Sequence, residues 1–184
     1  RTWTTSHVND GNVTRTSLTD PNGVTTTRDF DRLGRLSALT YGDPANTYDV
    51  DYTYDVLGNR QTMSEYDNAT HSEANRQRET IFGYDNARRL TNVDFDNDGD
   101  GTVDQSVSYN YDVSGRSTQM TIDDGSGSLS LTYTYDKLGR LINMTDWDSQ
   151  SSDYLYDDVG RHAATILPNG ITSDYRYDTA GRLR

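Results

Sequence analysis

Five aspartates, Asp94, Asp96, Asp98, Asp100 and Asp104, crowd into the stretch 94–104 (DFDNDGDGTVD). Carboxylates that dense call for a cation, because two unit charges ~4 Å apart repel by about 4 kcal/mol at an effective dielectric of 20. Asp96, Asp98 and Asp100 stand at positions 1, 3 and 5 of a calcium loop, Gly101 at 6, Thr102 at 7 with its carbonyl, and Asp104 at 9. Position 12, where an EF-hand needs a bidentate glutamate, is Val107. The spacing therefore predicts a shorter Asp-x-Asp-x-Asp-Gly Ca2+ site with Asp94 as replacement ligand, the alternative being an open, solvated acidic hairpin tip. Other candidates for chemistry are weaker. His7, His71 and His162 are too scattered for a catalytic or metal cluster, and 125–128 (GSGS) lacks the strand-turn-helix setting of a nucleophile elbow. Asp31, Asp55, Asp85, Asp112, Asp136, Asp157 and Asp178 could be paired as glycosidase carboxylates, but their regular recurrence marks turns. No enzyme is expected.

Those seven aspartates belong to one motif, best seen at 135–141 (YDKLGRL). It recurs at 30–36 (FDRLGRL), 54–60 (YDVLGNR), 84–90 (YDNARRL), 111–117 (YDVSGRS), 156–162 (YDDVGRH) and 177–183 (YDTAGRL). The aspartate is expected to accept hydrogen bonds from N–H groups two and three residues on. Gly34, Gly58, Gly115, Gly139, Gly160 and Gly181 would supply the positive φ of the reversal. A second aromatic precedes most copies by two residues: Tyr52/Tyr54, Phe82/Tyr84, Tyr109/Tyr111, Tyr133/Tyr135, Tyr154/Tyr156 and Tyr175/Tyr177. That spacing puts both rings on one face of a strand, so neighbouring copies would build aromatic ladders. Arg35, Arg89, Arg116, Arg140, Arg161 and Arg182 are expected to stack on tyrosine rings or to pair with nearby aspartates.

The bare unit is 21 residues, as from Asp157 to Asp178 (178 − 157 = 21). It holds two short strands with coded turns at both ends, which predicts an all-β, antiparallel meander in a single array over 1–184. Longer steps are the same unit with extended outer turns, at 41–46, 65–79, 94–104 and 123–128, with a short helical turn allowed around 72–78. Both ends look cut, with no polar cap, so the chain reads as a segment of something longer. With 17 basic and 29 acidic residues the net charge is −12, which argues against nucleic acid or an anionic membrane as partner. No apolar run is long enough for a membrane span. There is no cysteine, so disulfides are excluded. Hydrophobic residues are only 32%, yet 14 tyrosines at strand spacing allow a thin, partly polar core. Asn12, Asn68 and Asn143 fit the short glycosylation acceptor pattern, weak evidence by itself.

Tyr-Asp-x-x-Gly-Arg-Leu with an upstream Tyr-x resembles the YD, or RHS, repeat over about 24–184. The resemblance implies a β-sheet that spirals into a shell, tube or fibre, as in bacterial RHS toxins, toxin-complex shells, wall-associated proteins and teneurins, where the repeats encapsulate or present something else. It places the chain outside a bacterial cell or on its surface, with further YD repeats of the same chain or other copies as partners. Phe30 in place of tyrosine, and 86–88 (NAR) without the turn glycine, should make those two turns less regular. The autoproteolytic core of toxin relatives is not recognisable. An adhesive module that stacks glycans on Trp3, Trp147 and tyrosine faces is the rival reading.

Overall fold

The alternation of aromatic or aliphatic residues with threonine and serine builds strands, and glycine ends most of them at the reversals, with Arg88 and Ser149 taking the left-handed position in two others. The structure is a computed structural model that describes residues 3–9, 11, 13–42, 49–67 and 71–184. The expected turn at 43–46 and the acceptor sites Asn12 and Asn68 lie outside the described residues. The strands are β1 Thr4–Asn9, β2 Thr14–Thr19, β3 Thr25–Phe30, β4 Leu36–Tyr41, β5 Asp49–Tyr54, β6 Arg60–Tyr66, β7 Arg76–Tyr84, β8 Leu90–Asp96, β9 Gln105–Tyr111, β10 Ser117–Asp123, β11 Ser128–Tyr135, β12 Leu141–Thr145, β13 Ser151–Tyr156, β14 His162–Ile166 and β15 Thr172–Asp174. They form one 15-stranded sheet in sequence order. The helical turn expected around 72–78 is a single 3-10 turn, Glu73–Asn75, because Arg76 already starts β7. By packing, the chain divides into two compact units, Arg1–Ser106 and Val107–Arg184, with the division inside β9.

Cross-strand register sorts the side chains of each unit onto two faces. On one, Tyr52 lies opposite Met63, Met63 opposite Thr80 and Thr80 opposite Phe95. Likewise Met120 lies opposite Leu131 and Tyr133 opposite Met144. On the other, hydroxyls pair across strands: Thr19 with Thr25 at 2.8 Å, Thr53 with Thr62 at 2.6 Å, Thr121 with Ser130 at 2.9 Å. With no second layer described, few side chains are sealed. Tyr66, Val93 and Ala164 are the buried hydrophobic residues among those described. Each unit is therefore held by what spans neighbouring strands: the backbone ladders, the cross-strand side-chain pairs and the ties made from the aspartate turns.

The connections after β3, β5, β7, β9, β11 and β13 are all five residues, 31–35, 55–59, 85–89, 112–116, 136–140 and 157–161. Those after even-numbered strands vary, from four at 124–127 to nine at 67–75. Within each unit neighbouring strands run antiparallel, so these five-residue turns gather on one rim, which in the first unit also takes the β1–β2 connection, and the turns after even-numbered strands gather on the other.

Candidate functional site

The constant rim is one device repeated. In each turn the aspartate Oδ1 accepts the amide N–H groups two and four residues on, at 2.8 to 3.1 Å, as with Leu33 and Arg35 on Asp31 or Leu138 and Arg140 on Asp136. The N–H three residues on, expected at the carboxylate, donates instead to the aspartate's own carbonyl, as Gly34 does to Asp31 and Gly139 to Asp136. A tight reversal brings that N–H under the backbone oxygen and leaves the carboxylate to the flanking amides. The arginine that closes the turn folds back, its Nε donating to Oδ2 at 2.7 Å at Arg35, Arg89, Arg116, Arg140, Arg161 and Arg182.

The same guanidinium then covers the tyrosine of the next repeat. Arg35 sits 4.4 Å from the Tyr54 ring centre, Arg116 4.7 Å from Tyr135, Arg140 4.4 Å from Tyr156 and Arg161 4.5 Å from Tyr177. Each of those tyrosines donates its hydroxyl to the carbonyl just past the previous turn: Tyr54 to Leu36 at 2.7 Å, Tyr135 to Ser117 at 2.8 Å, Tyr156 to Leu141 at 2.8 Å, Tyr177 to His162 at 2.9 Å. The two uses expected of arginine are thus one geometry, aspartate to arginine to next tyrosine. At these positions the aromatic ladder has guanidinium between its rungs, not ring against ring, because the fork that holds the turn lies flat over the neighbouring strand. Arg60 extends the pattern to the upstream aromatics, over Tyr52 at 4.8 Å and Phe82 at 5.9 Å. Tyr154, Tyr156 and Tyr175 surround His162, with ring centres 6.0, 5.8 and 4.7 Å away. Tyr84 lies opposite Leu90 at its hairpin end, and Tyr109 and Tyr111 are on β9.

The turn without glycine is as regular as the rest. Arg88 takes the left-handed conformation at φ 63°, and Ala87 and Arg89 still donate to Asp85 at 2.8 and 2.9 Å. Arg88 also donates from Nε to Asn59 Oδ1 at 3.0 Å. Asn59 stands where the preceding repeat should have its arginine and bonds its own Asp55 at 2.8 Å, so the out-of-place arginine reaches the repeat that lacks one. The turn after Phe30 also keeps its bonds, at 2.9 Å from Leu33 and Arg35.

These bonds set the charge state of the rim. The carboxyls of Asp31, Asp85, Asp112, Asp136 and Asp178 are held below the ordinary range, foremost by the backbone N–H of the closing arginine and further by its side chain. At Asp55 and Asp157 partial burial is the largest influence and pushes upward, but the hydrogen bonds together outweigh it and the net shift is down.

The acidic loop is a hairpin tip on the other rim. Asp96 is 3% exposed and accepts Gly99 N–H at 2.6 Å and Gly101 N–H at 2.9 Å, with an Arg76 guanidinium nitrogen 3.5 Å away. Asp104 accepts the Asn97 N–H at 2.6 Å. One carboxylate oxygen each of Asp96, Asp98 and Asp104 come within 4.8 Å of one another. Asp94 and Asp100 are not in that group: Asp94 accepts the Asn92 amide at 2.7 Å, and Asp100 accepts the N–H and hydroxyl of Thr102 at 2.7 and 2.6 Å. Asp94, paired with Ile81, lies two residues back along β8 from Asp96, a strand rise of roughly 7 Å from the loop. Sequence reasoning missed Arg76, which also pairs with Glu79 at 3.1 Å. It also missed His71, whose two ring nitrogens face Asp51 at 2.8 Å and Asp49 at 3.3 Å while its ring stacks on Tyr66. The one sequence sign of the latter was the alternation Asp49-x-Asp51, which puts both carboxylates on one strand face.

The comparisons agree with this geometry. The RHS Repeat family matches residues 9–45 and the Teneurin YD-shell family residues 103–184. No curated protein matches the sequence. Among solved structures, TcdB2-TccC3-Cdc42 aligns with a TM-score of 0.68 at 17% identity, covering 93% of this chain and 10% of that one. The Tc holotoxin pore of Photorhabdus luminescens aligns at 0.65 and 20%, covering 91% and 9%, and TcdB2-TccC3 at 0.63 and 18%, covering 90% and 10%. The chain thus spans about a tenth of the length of the structures it resembles, and the likeness is one of fold. Seven turns of one design, four of them clamped to the tyrosine of the next repeat, coincide with these matches, so the stretches 9–45 and 103–184 are YD, or RHS, repeats.

Proposed function

We propose that the chain is a non-catalytic scaffold, a stretch of YD-repeat wall that builds a shell or an extended filament outside a bacterial cell or on its surface. The observation that supports this is the clamp: the recurring charged and aromatic groups of the constant rim are spent on joining one repeat to the next. A single sheet with little sealed core needs such ties to hold its curvature and register. β1 and β15 each have one neighbour in the sheet, and an exposed strand pairs readily with another. They are the proposed joints to further repeats or to other copies. Electron microscopy of the concentrated protein tests this. Filaments or end-joined particles are expected, and Thr5→Lys with His7→Lys, which charges β1, should abolish them. Uniform single particles for the parent protein would overturn the joint.

Enclosing a toxin, as the likeness to Tc structures invites, is a finer form of the same role and calls for an effector elsewhere in the protein. Glycan adhesion draws on Trp3 and Trp147, which are 59% and 53% exposed; quenching of their fluorescence by oligosaccharides would favour it, and the scaffold reading expects none. Calcium at the acidic hairpin remains part of the proposal with a reduced ligand set of Asp96, Asp98 and Asp104. Calorimetry with millimolar calcium on the parent and on Asp98→Asn should give heat only for the parent, and no heat for either removes the ion.

A further inference from the structure

His71 stands just before the 3-10 turn Glu73–Asn75 that leads into β7. Its two ring nitrogens face two different carboxylates of β5: Nδ1 lies 2.8 Å from Asp51 Oδ1 and Nε2 lies 3.3 Å from Asp49 Oδ2. A neutral imidazole has one N–H and would turn a bare lone pair on one of these anions, whereas the doubly protonated ring donates to both. The ring is also fixed in orientation, since it stacks on Tyr66 of β6 with centres 4.9 Å apart and planes 3° from parallel. Asp49 is buried, and its other oxygen accepts the Tyr41 N–H at 2.7 Å, so this carboxylate joins the end of β4 to the entry of β7. The other ionisable groups of that face follow the same two register rows: Asp49 opposite Tyr66 and Tyr66 opposite Arg76, then Asp51 opposite Ser64, Ser64 opposite Glu79 and Glu79 opposite Asp96. Arg76 pairs with Glu79 at 3.1 Å and with Asp96 at 3.5 Å, and Asp67, next to Tyr66, is exposed.

We infer that His71 is a charge-gated tie: its imidazolium binds the entry of β7 to β5, and loss of the second proton cuts one of the two bonds and sets a bare ring nitrogen against a carboxylate. Histidine makes that exchange between pH 5 and 8, and with 20% of its side chain exposed the ring stays open to protons from solvent. Because the folded state bonds the charged form, the tie is complete at low pH and is lost as pH rises. The sign is opposite to that of the aspartate turns, whose bonds need the deprotonated carboxyl. The unit Arg1–Ser106 is thus held by charge from both sides of a pH window: acid loosens its turns, and base frees the entry to β7.

Ring 15N spectra and amide hydrogen exchange of the 184-residue chain, followed from pH 5.5 to pH 8.5, are the test. Both nitrogens of His71 should carry protons at pH 5.5, and one should be bare at pH 8.5. The exchange protection of the amides of 76–78, taken as the ratio of the parent to His71→Gln, should be about ten-fold at pH 5.5 and close to unity at pH 8.5. Asp51→Asn, at a half-exposed position, should flatten that dependence. A parent ring with one bare nitrogen already at pH 5.5 overturns the inference. So does a protection ratio that is the same at both pH values, which would leave His71 holding the entry to β7 by its stacking on Tyr66 alone. Should His71→Gln fail to fold, the ring titrations of the parent and of Asp51→Asn decide: the second proton must leave at a lower pH in Asp51→Asn, and equal titrations overturn the tie.

Discussion

Removing one oxygen isolates the tie between repeats. In Tyr156→Phe the ring stays under Arg140 at 4.4 Å, but the hydrogen bond to the Leu141 carbonyl at 2.8 Å is lost. That carbonyl is half-buried, so the change should cost about 1 kcal/mol, the usual net worth of such a bond plus part of the desolvation of its orphaned acceptor. Tyr156→Leu also removes the ring from the guanidinium, worth ~0.5–1 kcal/mol more at a partly exposed site. A double-mutant cycle of Tyr156→Leu with Arg140→Met should then show a coupling of the same ~0.5–1 kcal/mol. Chemical denaturation followed by circular dichroism reads all of these, provided the slope with denaturant is unchanged. Tyr54, Tyr135 and Tyr177 share the geometry, so their phenylalanine variants should cost similar amounts. If all four were neutral within ~0.3 kcal/mol, the hydroxyl would be an incidental contact and the clamp would not hold the sheet.

Acid should open the constant rim. Its aspartates have folded pKa values below those of the unfolded chain, so their contribution is complete above about pH 4 and is lost as pH falls through the folded values. Stability measured between pH 6 and pH 2 should fall in that window, and a flat or rising profile would contradict the assignment. Replacing Arg88 by glycine relieves a left-handed side chain at φ 63° but breaks the bond to Asn59. Alone it should change stability by under ~1 kcal/mol, and with Asn59→Arg, which restores the motif in the preceding turn, it should exceed the parent; a double variant weaker than the parent refutes the compensation. Gly99→Ala would put a Cβ 2.1 Å from the Arg76 carbonyl oxygen at φ 76°, so it should cost more than the ~1 kcal/mol of an unhindered left-handed alanine, measured by thermal denaturation.

The fold was legible because it is coded locally and many times over. Aspartate, glycine and alternating aromatics each act within a few residues, and repetition turned a weak pattern into a sheet. The partner of each arginine was half legible: pairing and stacking were both expected, but their union depends on a neighbouring strand that lies 15 to 20 residues away in sequence. At 86–88 the glycine rule misled, since an arginine with a partner at Asn59 can sustain the left-handed turn. The acidic stretch was legible as an extended outer turn, but spacing alone could not foresee that Asp94 stays on its strand apart from Asp96, Asp98 and Asp104, or that Arg76 comes in from β7. His71 shows the same limit. Three scattered histidines gave no cluster, and only folding brought one of them between two aspartates of β5.

Five-residue connections recur on one rim of each unit and connections of varied length on the other, so the two rims should tolerate insertion differently. A peptide grafted between Asp136 and Arg140 would break a link shared by two repeats. One spliced into 124–127 would disturb only its own hairpin, whose bonds there run between Asp123, Asp124, Gly125, Ser126, Gly127 and Ser128. Insertions can therefore be carried on one margin of the sheet while the bonded turns on the other keep their length.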